Sequence, residues 1–195
     1  ALTVFAPIMG RLGDQYGRKK VITIGMLIFS ASEFAAALAP NFWFFLGARF
    51  LQGLGAACIL PGVFAYVTHL FPVNKRSVAL GILTFTMTFG AASGGLLGGL
   101  LIDRLGWESV YWISGALTLI GLVPVRLLVP EIELAKTRTA FDYKGATLLF
   151  ATIAALLSLP TWATNFGKES LITWAIVVIG VGSLPLLWRH SRSVA

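Results

Sequence analysis

The sequence contains little charge for its length. Only 12% of its 195 residues are Asp, Glu, Lys or Arg, whereas 57% are hydrophobic. Soluble domains carry about 25% charged residues, so the chain has roughly half the usual share. This shortage argues for a chain that lies in a lipid bilayer. The net charge of +7 does not indicate a nucleic-acid partner, because the basic residues lie at the ends of apolar runs.

Motifs of catalysis are also lacking. Cys58 is the single cysteine, which excludes a disulfide framework and a CxxC site, and its apolar surroundings predict a packing role. The patterns HExxH, GxSxG and GxxxxGK[ST] do not occur. We therefore expect no enzyme, no metal site, no cofactor and no nucleotide as the source of energy.

The sequence does contain seven apolar stretches. They cover residues 1–12, 21–39, 42–71, 77–102, 110–130, 141–162 and 170–188. Six of them reach the roughly 17–25 residues that a helix needs to cross the hydrocarbon core. The first is shorter, and the chain begins with Ala, so we expect a fragment whose first segment is the tail of a helix.

The basic residues predict the orientation of these segments. Twelve of the fifteen lysines and arginines lie in alternate connections: Arg11, Arg18, Lys19, Lys20, Lys75, Arg76, Arg126, Lys136, Arg138, Lys144, Arg189 and Arg192. Lysine and arginine accumulate on the cytoplasmic side of a membrane, so these connections are predicted to be cytoplasmic. The intervening connections, which hold only Arg104 and Lys168, are predicted to be external.

One cytoplasmic connection, GRLGDQYGRKKVI at residues 10–22, carries a specific pattern. We expect a turn between two helices, in which glycines allow close approach and Asp14 either caps a helix or meets a basic neighbour. The spacing G-x-L-x-D-x-x-G-R-K-K resembles the signature loop of the major facilitator superfamily. In that family the loop forms a charged latch against the other lobe. The resemblance implies this role for Gly10, Asp14, Gly17, Arg18 and Lys19.

A second pattern, LGARFLQGLGAA at residues 46–57, resembles the fourth-helix motif of the same superfamily. It places Arg49 inside an apolar run, where an arginine costs at least about 2.5–3.5 kcal/mol and usually faces protein or a wet cavity. By resemblance, Arg49, Gln52 and Gly53 belong to a proton-coupling or cavity site, since this arginine influences a first-helix carboxylate in proton-coupled members.

A third pattern, GAASGGLLGG at residues 90–99, repeats small residues four apart. Such a face permits close helix contact. Gly90, Gly94, Gly98 and Gly99 resemble the antiporter motif G-x-x-x-G-P-x-x-G-G, in which Gly95 takes the place of proline.

Glu33 is an acidic residue inside an apolar segment. Glu33 and Arg49 lie at similar depths in consecutive segments, roughly 9–10 Å below the external boundary. This motivates the hypothesis that Glu33 is a buried charge partner of Arg49. The alternative is that Glu33 faces another helix or the external interface.

The resemblance implies an all-α, polytopic membrane helix bundle of about seven segments. Residues 1–130 would form the N-terminal lobe without its first helix, that is, helices two to six, and residues 131–140 a cytoplasmic linker. Residues 141–195 would form two further helices. The stretch FDYKGATLLF resembles the extra pair between the lobes of the fourteen-helix drug:proton antiporter branch, and the start of the second lobe is the alternative.

The implied function is secondary active transport by alternating access. We expect proton-coupled export of drugs or other hydrophobic or cationic molecules, with proton-coupled uptake of a sugar or other metabolite as the alternative. The expected partners are a small-molecule substrate, the lipid bilayer of a plasma or bacterial inner membrane, and the missing helices of the same chain.

Overall fold

The computed structural model describes residues 2–131, together with Gly145, Thr152, Ile153 and Gly182. The chain divides into two compact units, Ala1–Thr137 and Arg138–Ala195, and the fold below is that of the first. Apart from Glu131, the predicted linker at 131–140 lies outside the described residues. Apart from the four isolated residues, so do the two helices predicted within 141–195.

Five helices make up the described part of the first unit. They are α1 (Leu2–Tyr16), α2 (Arg18–Ala37), α3 (Phe42–Leu70), α4 (Val73–Leu105) and α5 (Glu108–Leu128). The all-α prediction is confirmed for these residues. Because the connections are only one to four residues long, consecutive helices turn back on one another.

Four of these helices, α2 to α5, are long and apolar enough to cross a membrane. They coincide with the predicted segments to within four residues at either end. The 15-residue α1 is shorter, as its apolar run indicates. Four spans among the described residues make this an integral, multi-pass membrane protein, while the predicted total of about seven segments is not confirmed.

Local sequence explains where the helices begin and end. The side chain of Asn41 accepts a hydrogen bond of 2.9 Å from the amide of Phe44, which caps the start of α3. Gly17 and Gly106 separate α1 from α2 and α4 from α5, and both have positive φ angles, of 100° and 84°. Glycine adopts such angles without a side-chain clash, so both turns are compact.

The core of the unit lies along α2, which packs mainly against α3 and α5, while α1 packs against α3 and α2. The contact between α2 and α3 depends on Gly25 and Gly55. A Cβ atom on Gly55 would lie 2.7 Å from the amide nitrogen of Phe29, and one on Gly25 would lie 2.4 Å from Cβ of Cys58. Small residues therefore bring the two backbones together, and the buried Cys58 packs in this contact.

Helix α4 is the least integrated element. It contacts α3 and α5 only weakly, and none of its residues is buried among the described part of the chain.

Candidate functional site

The connection between α1 and α2 is tighter than the expected loop. Helix α1 continues to Tyr16 and therefore includes Gly10 and Asp14, so that Gly17 alone lies between the two helices. The expectation that the glycines of residues 10–17 form a loop is wrong for Gly10 and Gly13, which lie inside α1. A Cβ atom on Gly10 would lie 3.3 Å from Cβ of Pro61, so this glycine serves the packing of α1 on α3.

Asp14 and Arg18 form a salt bridge across this turn. Oδ1 of Asp14 lies 2.8 Å from Nη2 of Arg18 and accepts a second hydrogen bond of 2.9 Å from Nε. Asp14 thus meets a basic neighbour and does not cap α2, whose N-terminus has no side-chain cap. One carboxylate oxygen holds two nitrogens of the guanidinium, which fixes the arginine relative to the end of α1.

Arg18 is largely buried although it lies at the end of a helix. Its side chain is 12% exposed, and Nη1 has no hydrogen-bond partner among the described residues. Asp14 and Arg18 line a cavity of about 220 Å³ between α1, α2 and α3, beside Gly10 and Pro61. Of the following lysines, Lys19 is half-buried and Lys20 is exposed. The turn therefore presents a fixed arginine and a freely hydrated lysine.

Two further residues, which the sequence did not indicate, lie near this turn. A Cβ atom on Gly17 would lie 2.6 Å from Oε1 of Glu131, so the Glu131 side chain covers the turn. The hydroxyl of Tyr66, on α3, donates a hydrogen bond of 3.0 Å to the carbonyl of Pro130. The end of α5 is thereby tied both to α3 and to the turn. An acidic residue directly after Pro130 was the only signal in the sequence, and it does not specify this contact.

A chain of polar side chains connects α2 and α3 within the apolar part of the unit. Glu33 is 2% exposed and accepts a hydrogen bond from Nε2 of Gln52. Oε1 of Gln52 accepts a hydrogen bond from Nη1 of Arg49. The structure thus brings Glu33 and Arg49 into one network, but Gln52 lies between them. A direct salt bridge between the two charges does not occur in the described part of the chain.

Helix α5 completes this network. Ser114 lies near the Glu33 carboxylate, and the ring of Tyr111 lies 5.8 Å from the Arg49 guanidinium carbon. One turn along α2, the hydroxyl of Ser30 donates a hydrogen bond of 2.8 Å to the carbonyl of Gly115. Arg49 itself is exposed on the described unit, and Gly53 is half-buried beside Gln52. Sequence reasoning missed Ser114 and Tyr111, whose positions depend on how α5 packs.

The glycines of α4 do not make the close helix contact that their spacing predicts, at least within the described residues. A Cβ atom on Gly90, Gly94, Gly98 or Gly99 would have no heavy atom within 4 Å. Gly90, Gly94 and Gly98 line one side of an apolar cavity of about 710 Å³, which α2 and α5 border. The face is open, and Ser114 of the polar network lies on its opposite wall.

The described residues contain no group of three or more His, Cys, Asp or Glu side chains that could hold a metal ion. The described unit is largely apolar and contains two charged sites: the salt bridge at the α1–α2 turn and Arg49 within α3.

Known proteins resemble the chain over most of its length. The family model of the Major Facilitator Superfamily matches residues 1–188. The chain is 32% identical to the multidrug resistance protein Stp of Mycobacterium tuberculosis, covering 98% of this chain and 36% of that protein. It is 29% identical to the tetracenomycin C resistance and export protein of Streptomyces glaucescens, covering 83% of this chain and 31% of that protein.

A third relative has a different cargo in its name. The riboflavin transporter RibZ of Clostridioides difficile is 29% identical, covering 77% of this chain and 33% of that protein. The chain spans about a third of the length of the curated relatives it matches. With the motifs, the apolar helices and a match over nearly all of its residues, the chain belongs to the major facilitator superfamily.

Proposed function

We propose that the protein is a secondary active transporter that exports drugs or other hydrophobic or cationic molecules in exchange for protons. The observation that carries this proposal is the similarity of nearly the whole chain to a multidrug resistance protein and of most of it to an antibiotic export protein. Transporters of this type bind substrate near the middle of the membrane and expose it to each side in turn. The chain contributes part of one lobe to that cycle.

The salt bridge at the α1–α2 turn fits a conformational latch. Asp14 neutralises part of the charge of Arg18, and Nη1 of Arg18 retains an unused donor among the described residues. A buried guanidinium with an unused donor favours an additional acceptor, because an unpaired buried polar group is costly. The second lobe would supply this acceptor in one conformation of the transport cycle and withdraw it in the other. Arg18 would then bind the second lobe in the first conformation and release it in the second.

Arg49 fits a role in ion coupling. It lies seven residues after the start of α3, roughly 10 Å along the helix, and its guanidinium is held by Gln52 and Tyr111. A positive charge at this depth lowers the free-energy cost of ionising a nearby carboxylate. Protonation of that carboxylate removes its attraction to the arginine. We expect an ion gradient as the source of energy.

Drug accumulation in cells tests the direction of transport. Cells that express the intact protein should accumulate less ethidium than cells with the empty vector, and a protonophore should remove the difference. The Arg49→Ala variant, matched for expression in the membrane fraction, should accumulate as much as the vector control. Ethidium accumulation that is unchanged or raised by the wild-type protein would contradict export.

Uptake of a metabolite is the second candidate. It is supported by the departure of the glycine series from the antiporter motif at Gly95 and by the similarity to a riboflavin transporter. Under this candidate, the same cells should take up a labelled sugar or vitamin faster than the vector control, with no change in ethidium.

A further inference from the structure

Glu33 is a buried carboxylate for which neither the latch nor the coupling arginine accounts. It lies four residues before the end of α2 and is 2% exposed. An ionised carboxylate in such surroundings persists only if donors or an opposite charge compensate for its lost hydration. Among the described residues, the polar groups near it are the Gln52 amide and the Arg49 guanidinium from α3, and the Ser114 hydroxyl from α5.

The chemistry of these groups sets the direction of the hydrogen bonds. A carboxylate only accepts hydrogen bonds, so ionised Glu33 must accept from Nε2 of Gln52, which is the donor end of the amide. This leaves Oε1 of Gln52, which only accepts, on the side of Arg49, which only donates. With the amide reversed, its NH₂ group would face the guanidinium, and two donors would oppose each other. Ionised Glu33 therefore selects the one orientation of Gln52 that binds Arg49.

We propose that Glu33 is a positioning residue for Arg49, which it holds in place through the side-chain amide of Gln52. The negative charge on α2 orients the amide, and the amide fixes the guanidinium of α3 against the ring of Tyr111 on α5. Loss of the charge removes the constraint that α2 places on the amide and so loosens Arg49. The functional part of this inference rests on the proposed transport role of Arg49, whereas its structural part does not.

The first test measures ethidium-driven proton flux in membrane vesicles that contain the intact protein. Glu33→Gln keeps the size of the side chain and removes its charge, and we expect the flux to fall about tenfold, as for the loss of one charge-assisted hydrogen bond. Glu33→Asp keeps the charge and should restore part of the flux. If volume alone mattered, the Gln variant would be the more active of the two. Equal or higher flux in Glu33→Gln than in Glu33→Asp overturns the proposal.

The matched control is Ser32→Ala. Ser32 is buried next to Glu33, but its hydroxyl donates to the carbonyl of Phe29 on its own helix, 2.7 Å away, and does not reach Arg49. We expect its flux to stay within about twofold of the wild type, as for a change that leaves the charged network intact. A loss equal to that of Glu33→Gln would mean that any change at this point of α2 impairs transport, and the positioning role would be refuted.

A double-mutant cycle tests the connection itself. Gln52→Leu removes the amide while it leaves both charges. If Glu33 acts through Gln52, the double variant Glu33→Gln/Gln52→Leu is no less active than the less active of the two single variants. Losses that multiply mean independent roles and overturn the proposal.

A stability measurement separates this proposal from the transport proposal. Arg49→Met and Glu33→Gln should each lower the Tm of the purified protein, and the double variant should lower it by less than the sum, because removal of both charges leaves none uncompensated. If the wild type carries no ethidium but the Tm values couple, the transport proposal fails and the positioning stands. Additive Tm changes refute the positioning whatever the flux.

Discussion

At the scale of single residues, the structure depends on a few positions that accept only one type of residue. Gly17 is such a position, because it combines a φ angle of 100° with the close approach of Glu131. The sequence predicted a turn that includes Gly17, because this glycine lies in the charged connection between two apolar runs. It did not identify Glu131, because nothing in a string of residues states which helix end comes to lie over a turn.

Gly17→Ala should destabilise the protein. The added Cβ atom would be strained by the backbone conformation and would lie 2.6 Å from Oε1 of Glu131. A non-glycine residue in such a conformation costs about 1–3 kcal/mol, so the Tm of the purified protein should fall by several degrees. Gly81→Ala is the control, because Gly81 is helical and a Cβ atom there would meet nothing within 4 Å. Equal Tm changes in the two variants would show that the turn is not constrained as described.

The polar network illustrates the same limit of sequence reasoning. Similar depths of Glu33 and Arg49 in consecutive segments suggested a direct pair, and depth follows from helix rise alone. Which side chain lies between them depends on the rotation of each helix about its axis, and this is determined by packing. Gln52 stands three residues after Arg49, on the same face of α3, and so reaches Glu33 first.

At the scale of helices, the sequence predicts where most helices begin and end but not which helices pack together. The bounds of α2 to α5 were predictable to within a few residues, because apolar runs of membrane length end where polar residues begin. The bounds of α1 were less so, since its last turns are polar and the helix nevertheless continues to Tyr16. The helix pairs were not predictable, and the central place of α2 against α3 and α5 appears only in the structure.

Gly55→Ala should separate α2 from α3. The new Cβ atom would lie 2.7 Å from the backbone nitrogen of Phe29 and 2.8 Å from the carbonyl oxygen of Gly25, and backbone atoms cannot move aside as a flexible side chain does. Overpacking of this kind costs about 1–3 kcal/mol or more, so the Tm should fall. Gly47→Ala, on the same helix but with open space around it, should leave the Tm unchanged or raise it. A neutral Gly55→Ala would contradict the close contact.

At the scale of the whole molecule, the distribution of basic residues predicts how the helices are oriented in the membrane. The twelve basic residues in alternate connections predict that the α1–α2 and α3–α4 turns face the cytoplasm. The structure agrees in one respect: the short turns place the ends of consecutive helices alternately at the two ends of the bundle. Which end faces the cytoplasm stays a prediction of the charge distribution.

Labelling of single cysteines tests this orientation. In a background in which Cys58 and any cysteine elsewhere in the intact protein are replaced, Asn41→Cys at the α2–α3 connection should react with a membrane-impermeant maleimide in intact cells. Lys75→Cys, near the α3–α4 turn, should react only after the membrane is permeabilised. Both positions are exposed on the described unit, so the side of the membrane on which each one lies decides its access to the reagent. The reverse pattern would mean that the basic connections are external.

Proton movement in energised inverted vesicles is the decisive measurement for proton-coupled drug export. A pH-sensitive dye reports acidification of the lumen, and ethidium is then added to vesicles that contain the intact protein. We expect ethidium to release protons from the lumen with the wild-type protein, and to release few or none with equal amounts of the Asp14→Asn or Arg49→Ala variant. An absence of proton release by the wild-type protein with ethidium, together with proton-coupled flux of a sugar or vitamin, would contradict drug export and favour uptake.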